Sequence, residues 1–187
     1  MTNILLRRRR LGKGSTGGIS RASTTGLSVV RNWTDPFPAD TRLVFRWGCT
    51  SDLPEVYRSC TVVNSAKSIH WCSDKRQGRL DMQAAGVPVP ETWATEDWQR
   101  ITPDDHEAMF VARPARHAQG RNLRCGTYEG LHNAGTFAGG YVSRLVSKVA
   151  EYRVMVVCNR VVWVVQKTPG NPEQVAWNVA QGGRFDN

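Results

Sequence analysis

The sequence feature that most restricts the fold is a helical segment followed directly by a glycine and two prolines. It contains Asp74-Lys75 near its start and runs into Gly86-Val-Pro88-Val-Pro90. Gly86 accepts the left-handed conformation that often ends a helix, and each proline biases the residue before it toward extended backbone. We therefore predict a helix that stops near Gly86 and an extended segment after it. Lys75 falls near the helix start, where backbone N–H groups favour anions.

The composition is that of a globular protein. The chain has 187 residues, of which 40% are hydrophobic and 22% are charged, and this suits one domain or two small lobes. No apolar run approaches the roughly 20 residues that a membrane-spanning helix needs. The five cysteines are scattered and form no Cys-x-x-Cys pair, so we expect reduced thiols and a cytoplasmic location.

The N-terminal region is basic and rich in glycine. The net charge of the chain is +9, and Arg7–Arg10 supply part of the excess. Such a cluster suits nucleic acid, but a solvated loop or a pocket for anionic small molecules explains it equally, and no interleaving of aromatic and basic residues favours nucleic acid. Gly12-x-Gly14-x-x-Gly17 matches a dinucleotide-binding motif, yet the region near Arg31, where that motif has an acidic residue, is basic and polar.

Short apolar runs alternate with turn-forming or helical segments over the first third of the chain. This alternation predicts a small parallel sheet with helices on its faces, in a lobe formed by residues 1–64. The predicted strands are Ile4–Leu6, Leu27–Val30, Leu43–Gly48 and Cys60–Val63, and the predicted helical segments are Ser20–Gly26 and Leu53–Ser59.

The remaining residues, 65–187, contain β-rich runs that predict an antiparallel α+β lobe. The predicted strands are Met109–Arg113, Leu123–Cys125, Tyr141–Val146, Tyr152–Val157 and Val161–Gln166. We expect the last two to form a hairpin in the same antiparallel sheet as Met109–Arg113. Residues 161–165 are apolar on both faces, which is typical of a central, covered strand. The predicted fold class is therefore α/β (α+β).

Four polar pieces follow one another along the chain. They are Lys75 at a helix start, Arg113 at a strand end before a glycine-containing loop, Glu151-Tyr-Arg153 at the hairpin, and Asn178 four residues before Gly182-Gly183. Singly, each is explained by a solvated side chain. In this order and spacing, from Leu43 to Asn187, they resemble the ATP-grasp superfamily, and within it the glutamate ligases that modify ribosomal-protein tails and their phage-encoded relatives.

The resemblance implies a fold and an activity. The fold is a small parallel pre-ATP-grasp lobe followed by an antiparallel nucleotide-binding lobe that is incomplete at its C-terminus. The activity is an ATP-dependent carboxylate–amine ligase, in which an acyl phosphate forms and an amine then displaces phosphate to give an amide. ATP is the implied cofactor, Mg²⁺ is expected for the complete enzyme, and the substrates are small-molecule or peptide carboxylates and amines.

The resemblance also implies roles for the phosphate-binding residues. Lys75 and Arg113 are expected to hold the ATP phosphates, and Arg113 stands where relatives usually have lysine. The loop that contains Arg116, His117 and Gly120 is expected to close over the phosphates. His117 is either a general base or an ordinary polar loop histidine.

The remaining candidate residues are expected to contact the nucleoside or the reacting groups. Ser143 and Leu145 lie on the strand whose backbone is expected to bind adenine, and Glu151 is expected to bind ribose or the hinge. Arg153, expected to be buried, is implied to contact the acyl phosphate as the catalytic residue. A local ion pair between Glu151 and Arg153 is the alternative. Lys167 either points into the same cleft or lies on the surface.

The resemblance places Asn178 beside the nucleotide and the metal ligands, an Asp and a Glu-x-Asn pair, after Gly182-Gly183. The chain stops at Asn187, so no metal ligand is predicted within it. We expect either a partner chain that supplies the remaining segment or a degenerate nucleotide-binding protein, and whether the chain is an enzyme stays open.

Two other functions also stay open. One is a non-catalytic nucleotide-binding or structural protein that keeps the ATP-grasp fold, and nucleotide binding without turnover would select it. The other is a basic nucleic-acid-binding module, which a steep salt dependence of binding would select. The expected location is the host cytoplasm if the chain is phage-encoded.

Overall fold

The computed structural model describes residues 2–7, 27–30, 38–100, 104, 107–117 and 122–186. These residues form two compact units, and the division falls between Ser73 and Asp74. The predicted helix Ser20–Gly26 lies outside the described residues, as do three of the four residues Arg7–Arg10. The predicted division into lobes at residue 64 stays a prediction.

The first unit contains the predicted parallel sheet. Its four strands lie in the order β2-β1-β3-β4, and every neighbouring pair is parallel. The strands are β1 (Thr2–Arg7), β2 (Leu27–Val30), β3 (Thr41–Trp47) and β4 (Thr61–Val63). The prediction of a parallel sheet is therefore confirmed, and the helical segment before β4 is a 3₁₀ turn, Glu55–Tyr57.

The alternation of side chains along β3 builds the small core of this unit. Val44 is fully buried and packs with Val30 and Cys49. Arg46 lies on the same face of the strand and is 5% exposed. Its Nη1 donates hydrogen bonds to the carbonyls of Cys49 and Ser51 at 3.2 and 2.6 Å, which offsets part of the cost of burying the guanidinium, whereas its Nε is buried without a partner.

The segment that the sequence predicts as one helix consists of two. Helix α1 spans Ala66–Ser73 and helix α2 spans Lys75–Ala84. Asp74 separates them because its carboxylate caps α2, accepting a hydrogen bond from the backbone N–H of Gln77 at 3.0 Å. Helix α2 ends as predicted, since Gly86 has a φ of +72°.

The second unit contains two antiparallel sheets, ordered β5-β8-β6-β7 and β11-β10-β9. The strands are β5 (Thr92–Ala94), β6 (Phe110–Arg113), β7 (Arg124–Gly126), β8 (Tyr141–Arg144), β9 (Glu151–Val157), β10 (Arg160–Thr168) and β11 (Arg184–Asp186). The expectation of a single antiparallel sheet is wrong. Strand β8 already pairs with β5 on one side and β6 on the other, so it offers the hairpin no free edge.

An aromatic cluster holds the four-stranded sheet against two short helices, α3 (Thr95–Trp98) and α4 (Tyr128–Ala134). Trp98 and Phe110 are both fully buried, and their rings meet edge to face with centroids 4.6 Å apart. Trp93 packs on both rings, and Tyr128 packs on Trp98. Such pairs stabilise the core beyond the apolar area that they bury.

The hairpin β9–β10 forms as predicted, and its turn is built by two residues in the left-handed region. Cys158 and Asn159 have φ values of +49° and +60°, as a two-residue type I′ turn requires. Strand β10 is central in its sheet, as predicted, and most of its length is exposed. Val161 is 61% exposed and Trp163 is 42% exposed, whereas Val165 is 4% exposed.

Trp98 should therefore contribute far more to stability than Trp163. We expect Trp98→Ala to lower the free energy of unfolding by about 3–5 kcal/mol, because it removes a fully buried indole and leaves a cavity. Trp163→Ala is the matched control and should cost less than about 2 kcal/mol. Urea unfolding followed by circular dichroism measures both, and equal losses would contradict this account of the core.

Candidate functional site

A cavity of about 340 Å³ in the second unit brings together five of the residues predicted from the sequence. These residues come from four separate parts of the chain, and all of them line the cavity: Arg113, Ser143, Leu145, Glu151 and Asn178. Their convergence is a tertiary result, because none of these segments is adjacent in sequence to all the others.

The pairing of β6 with β8 explains why this cavity is polar on a sheet whose other face is apolar. Val111 pairs with Ser143, and Arg113 pairs with Tyr141. Paired residues share a face and successive residues alternate, so these four lie opposite the face that carries Phe110. The aromatic cluster therefore fills one face of the sheet, and Val111, Arg113 and Ser143 line the cavity on the other.

One end of the cavity is strongly cationic. Lys75 and Arg79 are four residues apart on α2, so they lie on one face of the helix, and Arg79 lines the cavity with Arg113. Within the described ranges, neither arginine forms an ion pair with a carboxylate. Two guanidinium groups without counter-charges make this end of the cavity suited to an anion.

His117 lies beside this cationic end, in the loop after β6. Its Nε2 is 2.8 Å from the hydroxyl of Tyr141, which is 2% exposed. Burial lowers the pKa of His117, and the positive charges of Arg113, Lys75 and Arg79 lower it further. The imidazole is therefore neutral at neutral pH.

The loop of His117 is also held at its base. The backbone N–H of Lys75 donates to the carbonyl of Ala115 at 2.8 Å, which ties the loop to the start of α2. Arg116 is exposed, and the predicted loop residue Gly120 lies outside the described residues. The structure thus places Lys75 and His117 at the same end of the site as Arg113.

Glu151 forms the acidic centre of the site. Its carboxylate accepts hydrogen bonds from Lys148 and Lys167. Burial raises the pKa of Glu151, but the two lysines outweigh burial and hold that pKa below its usual range. Lys167 is 5% exposed, so it is not the surface lysine that the sequence left as an alternative.

Arg153 does not line this cavity. It is exposed, and its guanidinium lies 5.2 Å from the centroid of the Phe185 ring. The expectation that Arg153 is buried is therefore wrong, because β9 is the edge strand of a small sheet whose faces are largely open. The alternative of a Glu151–Arg153 ion pair is not observed either, since Glu151 pairs with two lysines.

The sequence prediction missed several residues that line the cavity, among them Arg79, Lys148 and Trp177. Arg79 follows Lys75 by one helical turn, and Lys148 precedes Glu151 by three residues, so spacing alone was a usable signal for both. Trp177 adjoins the predicted Asn178 and supplies an apolar wall. The Lys148 ammonium lies 4.5 Å from the Trp177 ring centroid, and the Trp177 Nε1–H donates to the Gln174 carbonyl at 2.9 Å.

The described residues contain no group of three or more His, Cys, Asp or Glu side chains placed to hold a metal ion. In the same part of the chain, none of the helices has the length and apolar character needed to cross a membrane.

Comparison with known proteins identifies the fold. No protein-family model and no curated protein matches the sequence. Among solved structures, the RimK domain protein ATP-grasp of Sphaerobacter thermophilus matches 89% of this chain and 73% of its own length, with a TM-score of 0.54 and 15% identity. The fold is that of the ATP-grasp enzymes.

Two synthetases show the same likeness. The D-alanyl-alanine synthetase A of Vibrio cholerae matches 91% of this chain and 68% of its own length, with a TM-score of 0.57 and 11% identity. The N5-carboxyaminoimidazole synthetase of Staphylococcus aureus matches 89% and 54%, with a TM-score of 0.59 and 9% identity. The predicted fold class is confirmed, and the chain spans between about half and three-quarters of the length of these structures.

The pairing of Glu151 with a buried lysine predicts a pH-dependent contribution to stability. We expect Glu151→Gln to lower the free energy of unfolding at pH 7 by about 1–3 kcal/mol, since Lys167 loses its carboxylate. Because the folded pKa of Glu151 is lowered from 4.5, this contribution is present above that value and is lost as the pH falls through the folded pKa.

Urea unfolding at a series of pH values measures this effect. The wild type and Glu151→Gln should converge under acidic conditions and differ near neutrality. Glu129→Gln, which removes an exposed carboxylate from α4, is the control and should change stability by less than about 0.5 kcal/mol. A loss that is the same at every pH would contradict the assignment to the Glu151 carboxylate.

Proposed function

We propose that this chain binds ATP in the cavity of its second unit and acts as an ATP-dependent carboxylate–amine ligase. The observation that carries the proposal is the pair Arg79 and Arg113, two cations that line the cavity without a carboxylate partner among the described residues. An ATP-grasp fold surrounds that pair. ATP combines a polyanionic triphosphate, which suits the two arginines, with a planar base, which suits the apolar wall formed by Trp177.

The phosphates belong at the cationic end. A guanidinium that is partly withdrawn from water and lacks a counter-charge is costly, and phosphate oxygens relieve that cost through charge-assisted, often bidentate hydrogen bonds. Arg79 and Arg113 are therefore assigned to the phosphates, with Lys75 beside them at the start of α2. Relatives usually have a lysine at the position of Arg113. Because a guanidinium is planar and donates two parallel hydrogen bonds, we expect the bound phosphate to take a different position from the one that a lysine ammonium would give it.

The nucleobase is assigned to the apolar wall of the cavity. Trp177, Val175 and Ala176 line an apolar wall on which a planar ring can stack. Ser143 and Leu145 lie where the chain leaves β8 along the cavity, and the Leu145 N–H is held by the Met109 carbonyl at 2.8 Å. This hydrogen bond fixes the position of the segment beside the cavity.

The proposed reaction has two steps. A carboxylate oxygen of the first substrate attacks the γ-phosphorus of ATP, and ADP leaves to give an acyl phosphate. The nitrogen of an amine then attacks the acyl carbon, phosphate leaves, and the amine releases a proton. The cationic end stabilises the charge that moves between phosphate oxygens in the first step. Solved structures of the same fold carry the names ligase and synthetase, which supports this reaction class.

The residues described here do not fit a Mg²⁺ site. Glu151 is the carboxylate that lines the cavity, and two lysines already occupy its oxygens. Mg²⁺ prefers several free oxygen ligands. We therefore derive no step through the metal, and Arg153, which lies off the cavity, is assigned no step.

Arginine substitutions test the phosphate assignment. We expect Arg79→Ala and Arg113→Ala each to weaken ATP binding by about 10- to 100-fold, because each removes a charge-assisted hydrogen bond. Arg184→Ala is the control, since Arg184 is an exposed arginine of the same unit that pairs with Asp186. Isothermal titration calorimetry with and without Mg²⁺ measures the dissociation constants, and unchanged ATP affinity in both cavity variants would rule out the assignment.

A second ligand separates the two ends of the cavity. Trp177→Ala should weaken ATP binding by about 10-fold through lost stacking and leave the binding of tripolyphosphate unchanged. Arg113→Ala should weaken both ligands. Equal sensitivity of tripolyphosphate to the two substitutions would place the phosphates, and not the base, beside Trp177.

A further inference from the structure

His117 and Tyr141 form a hydrogen-bonded pair that is able to hold one more proton than it carries. The His117 Nε2 and the Tyr141 hydroxyl are 2.8 Å apart, and the tyrosine is 2% exposed. Tyr141 lies on β8 directly opposite Arg113 on β6. The pair is therefore anchored in the sheet at the cationic end of the cavity.

The surroundings of the pair select the neutral imidazole. The charged and titratable groups that face His117 in the described part of the chain are Lys75 and Arg79 from α2, Arg113 from β6, and Tyr141 from β8. The first three are cations. Burial and these cations lower the pKa of His117 from its usual value, so near neutral pH the ring carries one proton. The tautomer of this neutral ring sets whether Nε2 donates to the Tyr141 oxygen or accepts from its hydroxyl.

A bound polyanion reverses the balance of charge around the pair. Phosphate oxygens beside Arg79 and Arg113 neutralise the cations that repel a proton from His117, and they add negative charge that attracts one. A tyrosine hydroxyl serves equally as donor or acceptor. Once the ring carries a proton on both nitrogens, Nε2 donates to the Tyr141 oxygen, and the hydroxyl hydrogen points elsewhere. The pair therefore keeps its hydrogen bond in both protonation states.

We infer that a phosphate-bearing anion binds at the Lys75–Arg79–Arg113 cluster together with one proton, taken from the buffer by His117, whose Nε2 then donates to the Tyr141 hydroxyl oxygen. This inference rests on the proposed ATP site and adds a proton-linked ligand to it. His117 therefore carries a positive charge only while the phosphates are bound.

The sign of the pH dependence follows from linkage. Proton uptake occurs at pH values between the pKa of His117 in the free protein and its higher pKa in the complex. Across that window, the affinity for the anion falls as the pH rises, by up to about tenfold per pH unit for one proton. Below the lower pKa, His117 is protonated in both states and the dependence disappears.

Calorimetry in buffers of different ionisation enthalpy measures the proton uptake directly. ATP is titrated near pH 7 into the 187-residue wild type and into His117→Gln, whose amide can hydrogen-bond the Tyr141 hydroxyl but does not titrate. ATP's own protonation is common to both proteins and cancels in the difference. His132→Gln is the matched control, because His132 is exposed on α4 and stacks on Tyr128.

We expect the wild type and His132→Gln to take up more protons per ATP than His117→Gln, by up to one proton. Proton NMR of the wild type gives a second measurement that needs no substitution, and one of the four histidines should titrate at a higher pH when ATP is present. ATP binding with equal proton uptake in all three proteins, and no shifted histidine, would overturn the inference and leave the ATP site intact. Absence of ATP binding to the wild type would instead overturn the proposed function and this inference with it.

Discussion

The antiparallel pairing of β6 with β8 is the interaction on which the rest of the second unit depends. Its register places Phe110, Ala112 and Val142 on one face, where they enter the aromatic core. The same register places Arg113 and Ser143 on the other face, where they line the cavity. A shift of one residue would exchange the two faces, so the core and the site are specified by the same hydrogen bonds.

The charges of the site are arranged in two ways that have different consequences. Glu151 is held between Lys148 and Lys167, so these charges are compensated within the protein and contribute to its stability. Arg79 and Arg113 have no such partner among the described residues, so their compensation must come from solvent or from a ligand. This difference separates the structural part of the polar network from the part that suits an anion.

The fold likeness and the local chemistry are independent observations, and they support the proposed function in different ways. The likeness rests on backbone geometry at 9–15% identity in the three structures compared, and it identifies a fold rather than a reaction. The cationic end and the apolar wall of Trp177 are side-chain features of this chain. The proposed activity draws on both, because the fold accounts for the place of the cavity and the side chains account for what suits it.

The sequence by itself determined the features that depend on near neighbours. The end of α2 at Gly86, the β9–β10 hairpin and the parallel sheet of the first unit follow from local conformational preferences and from short apolar runs. Arg113 and Asn178, predicted from a resemblance to the ATP-grasp superfamily in order and spacing, line the same cavity.

Only the tertiary structure decided how these elements meet. The two separate antiparallel sheets, the exposure of Arg153 and the choice of lysine partners by Glu151 all depend on which strand edges and faces are already occupied. The same is true of Trp177, whose position in the cavity wall has no local signal. The hydrophobic pattern of a segment indicates whether it is a helix or a strand and which of its faces is apolar. It does not indicate which distant segment lines the other side of the cavity, because that depends on how the sheets pack.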